Sequence, residues 1–447
     1  MCLLYKFLAN EVSRRNLFMN FIADMHIHSK YSRACSKDLT IPNLEKWARV
    51  KGVNLLGTGD FTHPKWIQEL KAALTETEKE SGFFQTKTGF PFVLQTEISL
   101  IYTHNNKGRK IHNLIFAPSF QAVDEITKFL LTRGRVDYDG RPIFKIPCPE
   151  LVEKMKAIDE RIQVIPAHAW TPWFGLYGAN GGFDSIKDAF QDQIKNVHAI
   201  ETGLSSDPLM NWRLKELDNI NLVSFSDTHS FWPWRLGREA TVFNIEPNFN
   251  ALAKALETGT GLQETIEVNP NLGKYHMTGH RVCGVSFHPE EAKKLNDVCP
   301  KCGNKLTVGV DQRIEELANR PLGYTPENAK PFRSLIPLSE LLAQFHAKAV
   351  ATKKIWEEYR KLVTERQSEY DVLLRMPIDD IAKATNKEFG EIMERNRAGK
   401  INVKGGYDGL YGVPMLDEKA EQNYQEEQQS MMASMKKKQT GLQEFFS

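Results

Sequence analysis

The stretch Phe21-Ile22-Ala23-Asp24-Met25-His26-Ile27-His28 is a short apolar run that ends in two imidazoles at alternate positions. Alternate side chains of a β-strand share a face, so His26 and His28 can reach one ion. Asp227-Thr228-His229 repeats that spacing later in the chain. Six more apolar runs follow the first, at residues 53–60, 90–98, 110–116, 163–168, 197–203 and 222–227, separated by amphipathic stretches. One of these stretches, Ile41–Lys51, carries helix-start signals in Thr40 and Pro42. The alternation, which persists to about Glu264, predicts repeated βα units around a parallel sheet, most economically a barrel of seven or eight units.

Asp24, His26, His28, Asp60, Glu97, His112, His168, Asp227 and His229 fall within these strands or at their ends. In α/β barrels the C-terminal strand ends bring side chains from distant segments together. A single histidine there is more often a satisfied polar residue than a ligand. Five histidines and several carboxylates at similar strand positions, however, would be costly to bury without cations to neutralise and order them. Mixed imidazole and carboxylate donors favour zinc, manganese or iron over calcium.

The ordered segments D-M-H-I-H (24–28), G-T-G-D (57–60), T-E (96–97), I-H-N-L (111–114), A-H-A-W (167–170) and S-D-T-H (226–229) resemble the motifs of the PHP (polymerase and histidinol phosphatase) superfamily. The resemblance implies an α/β fold, a distorted (β/α)7 barrel with two or three metals held by His26, His28, Glu97, His112, His168, Asp227 and His229. It makes Glu97 the carboxylate that bridges two ions, with Glu97, Asp227 and His229 at the catalytic centre. The chain departs from the superfamily where a Thr-Asp-His and a further histidine are usual, with Gly59-Asp60 and Ala34 in those places. Asp60 is expected to supply the missing oxygen; ligation by His63, or a two-ion centre, are the alternatives. The expected catalytic ions are Zn2+, with Mn2+ or Mg2+ as alternatives.

Past the barrel, His280 and Cys283 are separated by fifteen residues from Cys299-Pro300-Lys301-Cys302. This spacing reads as a zinc ribbon with one histidine among its ligands, a closed site that is structural and not catalytic. His276 and His288 compete for the histidine position, while Cys2, Cys35 and Cys148 are scattered and suggest no disulfide framework, so a reducing cytoplasm is expected. Residues 314–397 carry helical periodicity, and Gly405-Gly406-Tyr407-Asp408-Gly409 reads as a turn-rich loop. Beyond Leu416 a Glu, Gln, Lys and Met-rich tail ends in Gln439-x2-Leu442-x2-Phe445-Phe446, which resembles the peptide by which replication and repair enzymes bind the DNA sliding clamp. The expected division is an N-terminal extension (1–19), a phosphoesterase barrel (20–268), a zinc ribbon (269–312), a helical domain (313–415) and the tail (416–447), with Met19 as an alternative start.

Fifty-eight Lys and Arg against 56 Asp and Glu leave a net charge of +2, so bulk charge does not argue for nucleic acid and any polyanion site must be local. No apolar run is long enough for a membrane span. The order of barrel, ribbon, helical region and clamp peptide is similar to that of the endonuclease Q family, as are the segments S-K-Y-S-R-A-C-S-K-D-L-T-I-P-N-L (29–44), G-D-F-T-H-P-K-W (59–66) and Y-H-M-T-G-H (275–280). His280 departs from it, the family more usually having cysteine there. This likeness implies a metal-dependent phosphodiesterase that nicks damaged DNA on the 5′ side of uracil, hypoxanthine, xanthine or an abasic site, after the nucleotide is flipped out. Trp170, Trp173 and Tyr177, in the glycine-containing loop 170–182, are expected to stack on the base, and Lys30 and Arg33 to neutralise phosphates. The plain alternatives are rim packing for the aromatics and solvation for the bases. The alternative activity is that of a PHP phosphatase or exonuclease acting on small phosphoesters or DNA ends. From another class comes a catalytically dead DNA adaptor, for which metal ligands should be missing.

Overall fold

The structure, a computed structural model, describes residues 19–426 of the 447. The extension before Met19 and the proposed clamp peptide, Gln439, Leu442, Phe445 and Phe446, lie outside the described residues. Each of the seven apolar runs contributes one strand: β1 Met19–Asp24, β2 Leu55–Gly57, β3 Pro91–His104, β4 Lys107–Ala117, β5 Gln163–Pro166, β6 Ala199–Glu201 and β7 Asn221–Val223. β1, β2 and β3 are parallel neighbours, through Ala23↔Leu55 and Leu56↔Phe92, and β6 and β7 are parallel through Ala199↔Asn221. Ala169 N donates to Glu201 O at 2.9 Å beyond the ends of β5 and β6. The ring closes where Ile27 bridges Thr228 in parallel, with His28 N donating to Thr228 O at 3.2 Å.

The sheet is not parallel throughout, which corrects the sequence expectation. β4 runs against both neighbours, in register Ser99↔His112 with β3 and Asn113↔Pro166 with β5. The cause is local. Asn105 (φ 50°) and Asn106 (φ 58°) both adopt the left-handed conformation of a two-residue hairpin turn, which asparagine tolerates better than most residues.

Glu97 shares its strand face with Val93 and Gln95, and His112 shares its own with Leu114 and Phe116. Val93, Leu114 and Phe116 join Ile165, Val223 and Phe225 in one buried apolar cluster, the floor on which the polar residues stand. A second, larger cluster lies between the sheet and the helices. Its first helix runs Ile41–Lys51 as its periodicity predicts, though Thr40 makes no capping hydrogen bond, and it stops at left-handed Gly52 (φ 94°). Strands Ala240–Ile245 and Leu262–Glu267 extend the sheet antiparallel from β1, and Phe332–Ser334 adds to its edge.

Thr278–His280 and Val285–Phe287 form a small hairpin over a core of Val285, Phe287, Ala292, Cys299 and Leu306. Helix Val310–Leu317 follows, but the helical periodicity expected from Ile314 does not continue, because Pro321, Pro326, Pro331 and Pro337 break it. Five helices then cover 338–397. They pack into the same apolar cluster as the barrel helices. Buried Lys51 from the first helix meets buried Glu369 at 2.7 Å, and Glu369 also accepts from Tyr359 OH (2.7 Å) and Leu338 N (3.1 Å). These extra donors satisfy the carboxylate that the lysine alone would leave under-bonded. No helix of the described residues is long and apolar enough to cross a membrane.

Candidate metal centre

Glu97, fully buried on β3, faces imidazoles with each of its oxygens. Oε2 lies 3.2 Å from His28 Nε2 and 3.5 Å from His26 Nε2, and Asp227 Oδ1 lies 3.1 and 3.4 Å from the same two nitrogens. Oε1 lies 2.6 Å from His112 Nδ1 and 3.1 Å from His168 Nε2. Two donor groups therefore share one carboxylate, His26, His28, Glu97 and Asp227 on one side and Glu97, His112 and His168 on the other, each with its ligand atoms within 4.8 Å of one another. Among the described residues His26 Nε2 is buried without any hydrogen-bond partner although it points into this polar cluster. An orphaned imidazole nitrogen among carboxylates is what a cation site presents when only protein atoms are counted, so the donor set fits a pair of metal ions.

The electrostatics agree. Burial would push the Glu97 and Asp227 carboxyls up, but His112, Arg141 and His26 hold Glu97, and His26, His229 and His28 hold Asp227, well below the usual carboxylate range. Burial alone would depress His26 and His28; Glu201, Asp227 and Glu97 around the first, and Asp60 with Asp227 around the second, keep both well above the usual imidazole range. The cluster thus demands positive charge, which either protons or metal cations satisfy.

Asp60 is not among these donors, contrary to expectation. Its Oδ1 receives His28 Nδ1 at 3.0 Å, the nitrogen facing away from the cluster, and Oδ2 accepts from Ser29 N, Ser29 Oγ and Ser32 Oγ at 2.6, 2.6 and 2.9 Å. With its oxygens so used, Asp60 is turned to His28 Nδ1 and the two serines and lies outside both donor groups. His229 stands beside the cluster, its Nδ1 3.0 Å from the Asp227 carbonyl and its ring 4.7 Å from that of His28, and it joins neither donor group. His63 stacks on Tyr31 at 4.4 Å. Among the described residues no third group gathers around Asp60, His63 or His229.

Two residues of the site were missed in the sequence. Glu201, at the end of β6, receives His26 Nδ1 at 2.9 Å and the His168 backbone N–H at 2.6 Å, doing for His26 what Asp60 does for His28. A lone acidic residue closing an otherwise apolar strand was its signal. Arg141 reaches Glu97 Oε2 at 3.3 Å from a loop with no distinctive pattern.

The cluster opens into a cleft of about 390 Å³ lined by His112, His168, Asp227, Arg33, Arg141, Trp173, Phe174 and Tyr275. Trp173 is 39% exposed and meets Tyr275 edge-on at 5.1 Å. The other two aromatics expected to stack on a base do not line the cleft. Trp170 is wholly buried, donates to Asn211 Oδ1 at 2.8 Å and stacks on Tyr177 at 4.7 Å, while Tyr177 is buried and donates to Glu216. Trp170, Leu176 and Tyr177 thus form core beneath the rim, while Trp173 and Phe174 border the cleft. Lys30 is drawn aside by Glu69 at 2.9 Å, whereas Arg33 borders the cleft near Asp139. Away from the barrel, His280, Cys283, Cys299 and Cys302 come together as a four-donor group, with Cys302 Sγ 3.4 Å from His280 Nδ1; His276 and His288 are not part of it.

A family described as the MJ0043 C-terminal domain matches residues 337–400. The uncharacterised protein MJ0043 of Methanocaldococcus jannaschii is 34% identical over 266 residues, 58% of this chain and 33% of that protein, so the chain spans about a third of that curated relative. The crystal structure of the lesion-specific endonuclease PfuEndoQ from Pyrococcus furiosus is 32% identical with a TM-score of 0.80, over 90% of this chain and 96% of that one. A structure of endonuclease Q in complex with a 27-mer duplex substrate with an abasic lesion at the active site matches at the same identity and TM-score, over 90% and 98%. Similarity at this level, over nearly the full length of both chains, shows that the protein belongs to the endonuclease Q family of nucleases.

Proposed function

We propose that the protein nicks the backbone of damaged DNA, on the 5′ side of deaminated bases (uracil, hypoxanthine or xanthine) or of an abasic site. One observation carries this reading: a buried carboxylate, Glu97, shared between two imidazole-bearing donor groups at the floor of an arginine-bordered and tryptophan-bordered cleft, in a member of this family. His26, His28, Glu97 and Asp227 would hold one ion and Glu97, His112 and His168 a second, Zn2+ by donor chemistry with Mn2+ or Mg2+ as alternatives. Such ions, when bound, supply a water deprotonated near neutral pH and a countercharge for the departing oxygen. The chain's own residues do the rest. Glu201 and Asp60 would fix the two imidazoles that follow β1 through their outward nitrogens, Thr171 Oγ1 lies 2.9 Å from His168 Nδ1, and Trp173 would offer an exposed face to a base. His229, whose Nδ1 lies 3.0 Å from the Asp227 carbonyl, would exchange protons with water as the third member of the catalytic set.

His280, Cys283, Cys299 and Cys302 suit one structural Zn2+, which would brace a hairpin whose apolar core is too small to stand alone. The proposed division is an N-terminal extension (1–19), a phosphoesterase barrel (20–268), a zinc ribbon (269–312), a helical domain (313–415) and a tail (416–447).

Purified protein incubated with zinc or manganese and a labelled duplex bearing one uracil or hypoxanthine should give a single nick 5′ of the lesion. A small phosphoester hydrolysed while the duplex stays intact would replace this reading with a phosphatase. Gln439, Leu442, Phe445 and Phe446 are proposed to bind the sliding clamp. Deleting residues 439–447 should leave intrinsic nicking unchanged and abolish its stimulation by the clamp, and loss of nicking itself would refute this assignment.

A further inference from the structure

Arg141 is positioned more firmly than a loop arginine needs to be. Its backbone N–H donates to Asp139 Oδ1 at 3.1 Å, and the same oxygen accepts from Arg33 N at 3.3 Å. Gly140 N donates to Tyr31 O at 3.1 Å, Ser99 N to Pro142 O at 3.0 Å, and Ile143 pairs with Ser99 on β3. The segment is thus anchored both to the loop after β1 and to the strand that carries Glu97.

The guanidinium, however, is under-used. Nη1 contacts Glu97 Oε2 at 3.3 Å, and among the described residues no other protein acceptor meets the guanidinium, whose side chain is 23% exposed at the wall of the cleft. An arginine has five donors in a planar fork. Neutralising Glu97 does not explain it, since Glu97 Oε2 and Oε1 already face imidazoles, and cations in those two groups would make the arginine redundant and mutually repulsive with them. A guanidinium held against a cation-seeking cluster becomes favourable when an anion enters the cleft, and its fork geometry matches the oxygens of a phosphate.

We propose that Arg141 is a catalytic residue that grips a non-bridging oxygen of the phosphodiester being cut; the proposal rests on the endonuclease reading above. As water oxygen bonds to phosphorus and the P–O3′ bond breaks, water gives up a proton, the 3′ oxygen takes one up, and negative charge gathers on the non-bridging oxygens. The free donors of Arg141 would meet that charge at the wall of the cleft. Arg33, on the same cleft wall but paired to Asp139 at 3.4 Å and 73% exposed, is a weaker anchor and would contact a neighbouring phosphate.

The test is a binding cycle in an Asp227→Asn background, which keeps the substrate uncut. The probe is a fluorescent duplex with a tetrahydrofuran abasic analogue and, 5′ of it, either the ordinary phosphodiester or a neutral methylphosphonate. Without the arginine change, the protein should bind the methylphosphonate duplex about 10-fold more weakly. Adding Arg141→Ala should weaken binding of the phosphodiester duplex by a similar factor and abolish the discrimination. Arg141→Lys, which keeps charge without the fork, should retain part of it and serves where the alanine variant fails to fold. Adding the arginine change should leave metal content, by elemental analysis, the same as in the Asp227→Asn parent. Discrimination that survives in Arg141→Ala, or metal lost with the arginine, overturns the proposal. If the unmodified protein nicks lesion DNA yet the two changes act additively, the role of Arg141 falls alone. If it neither binds nor nicks, the endonuclease reading falls and this proposal with it.

Discussion

Glu201 and Asp60 stand behind the two imidazoles that follow β1, one on His26 Nδ1 at 2.9 Å and the other on His28 Nδ1 at 3.0 Å, and each leaves its imidazole's Nε2 aimed at Glu97 and Asp227. A carboxylate in this position fixes the tautomer and makes the opposite nitrogen more basic, so its loss is felt by an ion it never touches. Asp60→Asn tests this without disturbing the backbone, because Asp60 sits at φ 45°, a conformation asparagine adopts readily. Metal affinity, measured by chelator competition, should fall about 10- to 100-fold; unchanged affinity would reduce Asp60 to packing. The same distinction explains what was readable beforehand. His26 and His28 announce themselves because strand alternation puts them on one face of a run that also fixes the fold. Asp60 was visible as a polar strand end, but which shell it occupies depends on Ser29 and Ser32 filling its lone pairs, a fact of three dimensions. Trp170 and Tyr177 look in sequence like Trp173, and only packing separates the buried pair from the exposed ring.

At the scale of elements, the backbone turns into an unfavourable conformation just past three of the strands. Asp60 (φ 45°), His168 (φ 30°) and Asp227 (φ 47°) all take left-handed backbone conformations just past their strands, each a cost that the surrounding structure must hold in place. Neighbouring loops do so by close approach. At Gly140, the residue before Arg141, an added Cβ would overlap Asp60 Oδ2 and Ser32 Oγ, so the loop seats directly on the network that orients His28. Gly140→Ala should therefore lower both the melting temperature and the metal affinity with every proposed ligand intact. Gly108→Ala, at a position with nothing within 4 Å, should change neither. Equal behaviour of the two variants would show that the seating is loose. Periodicity gave the strands their places because each is apolar and bounded. It missed the reversal of β4, since direction was decided by two asparagines in a turn between strands of otherwise ordinary composition.

For the molecule as a whole, the barrel and the helices beyond Leu338 share one apolar cluster, and this depth of burial strands several carboxylates away from water. Glu267 is fully buried on the strand Leu262–Glu267; Oε2 accepts from Thr202 and Ser224 hydroxyls at 3.0 and 2.8 Å, while Oε1 has no hydrogen-bond partner among the described residues. Burial pushes its carboxyl from 4.5 up to about 8, outweighing those hydroxyl donors, and buried Glu239 is likewise raised by burial and by Glu267. A proton on Glu267 therefore favours the folded state. That contribution is complete below the unfolded value of 4.5 and drains away as pH climbs through about 8. Chemical denaturation should show this contribution declining between about pH 4.5 and 8, by roughly a few kcal/mol. Glu267→Gln keeps the shape and an oxygen acceptor for the two hydroxyls but cannot ionise, so its profile should be flatter and its advantage over the unchanged protein should grow with pH. Parallel profiles for the two proteins would mean that the carboxylate is solvated or neutralised by a route that the packing around Thr202, Ser224 and Glu239 does not provide.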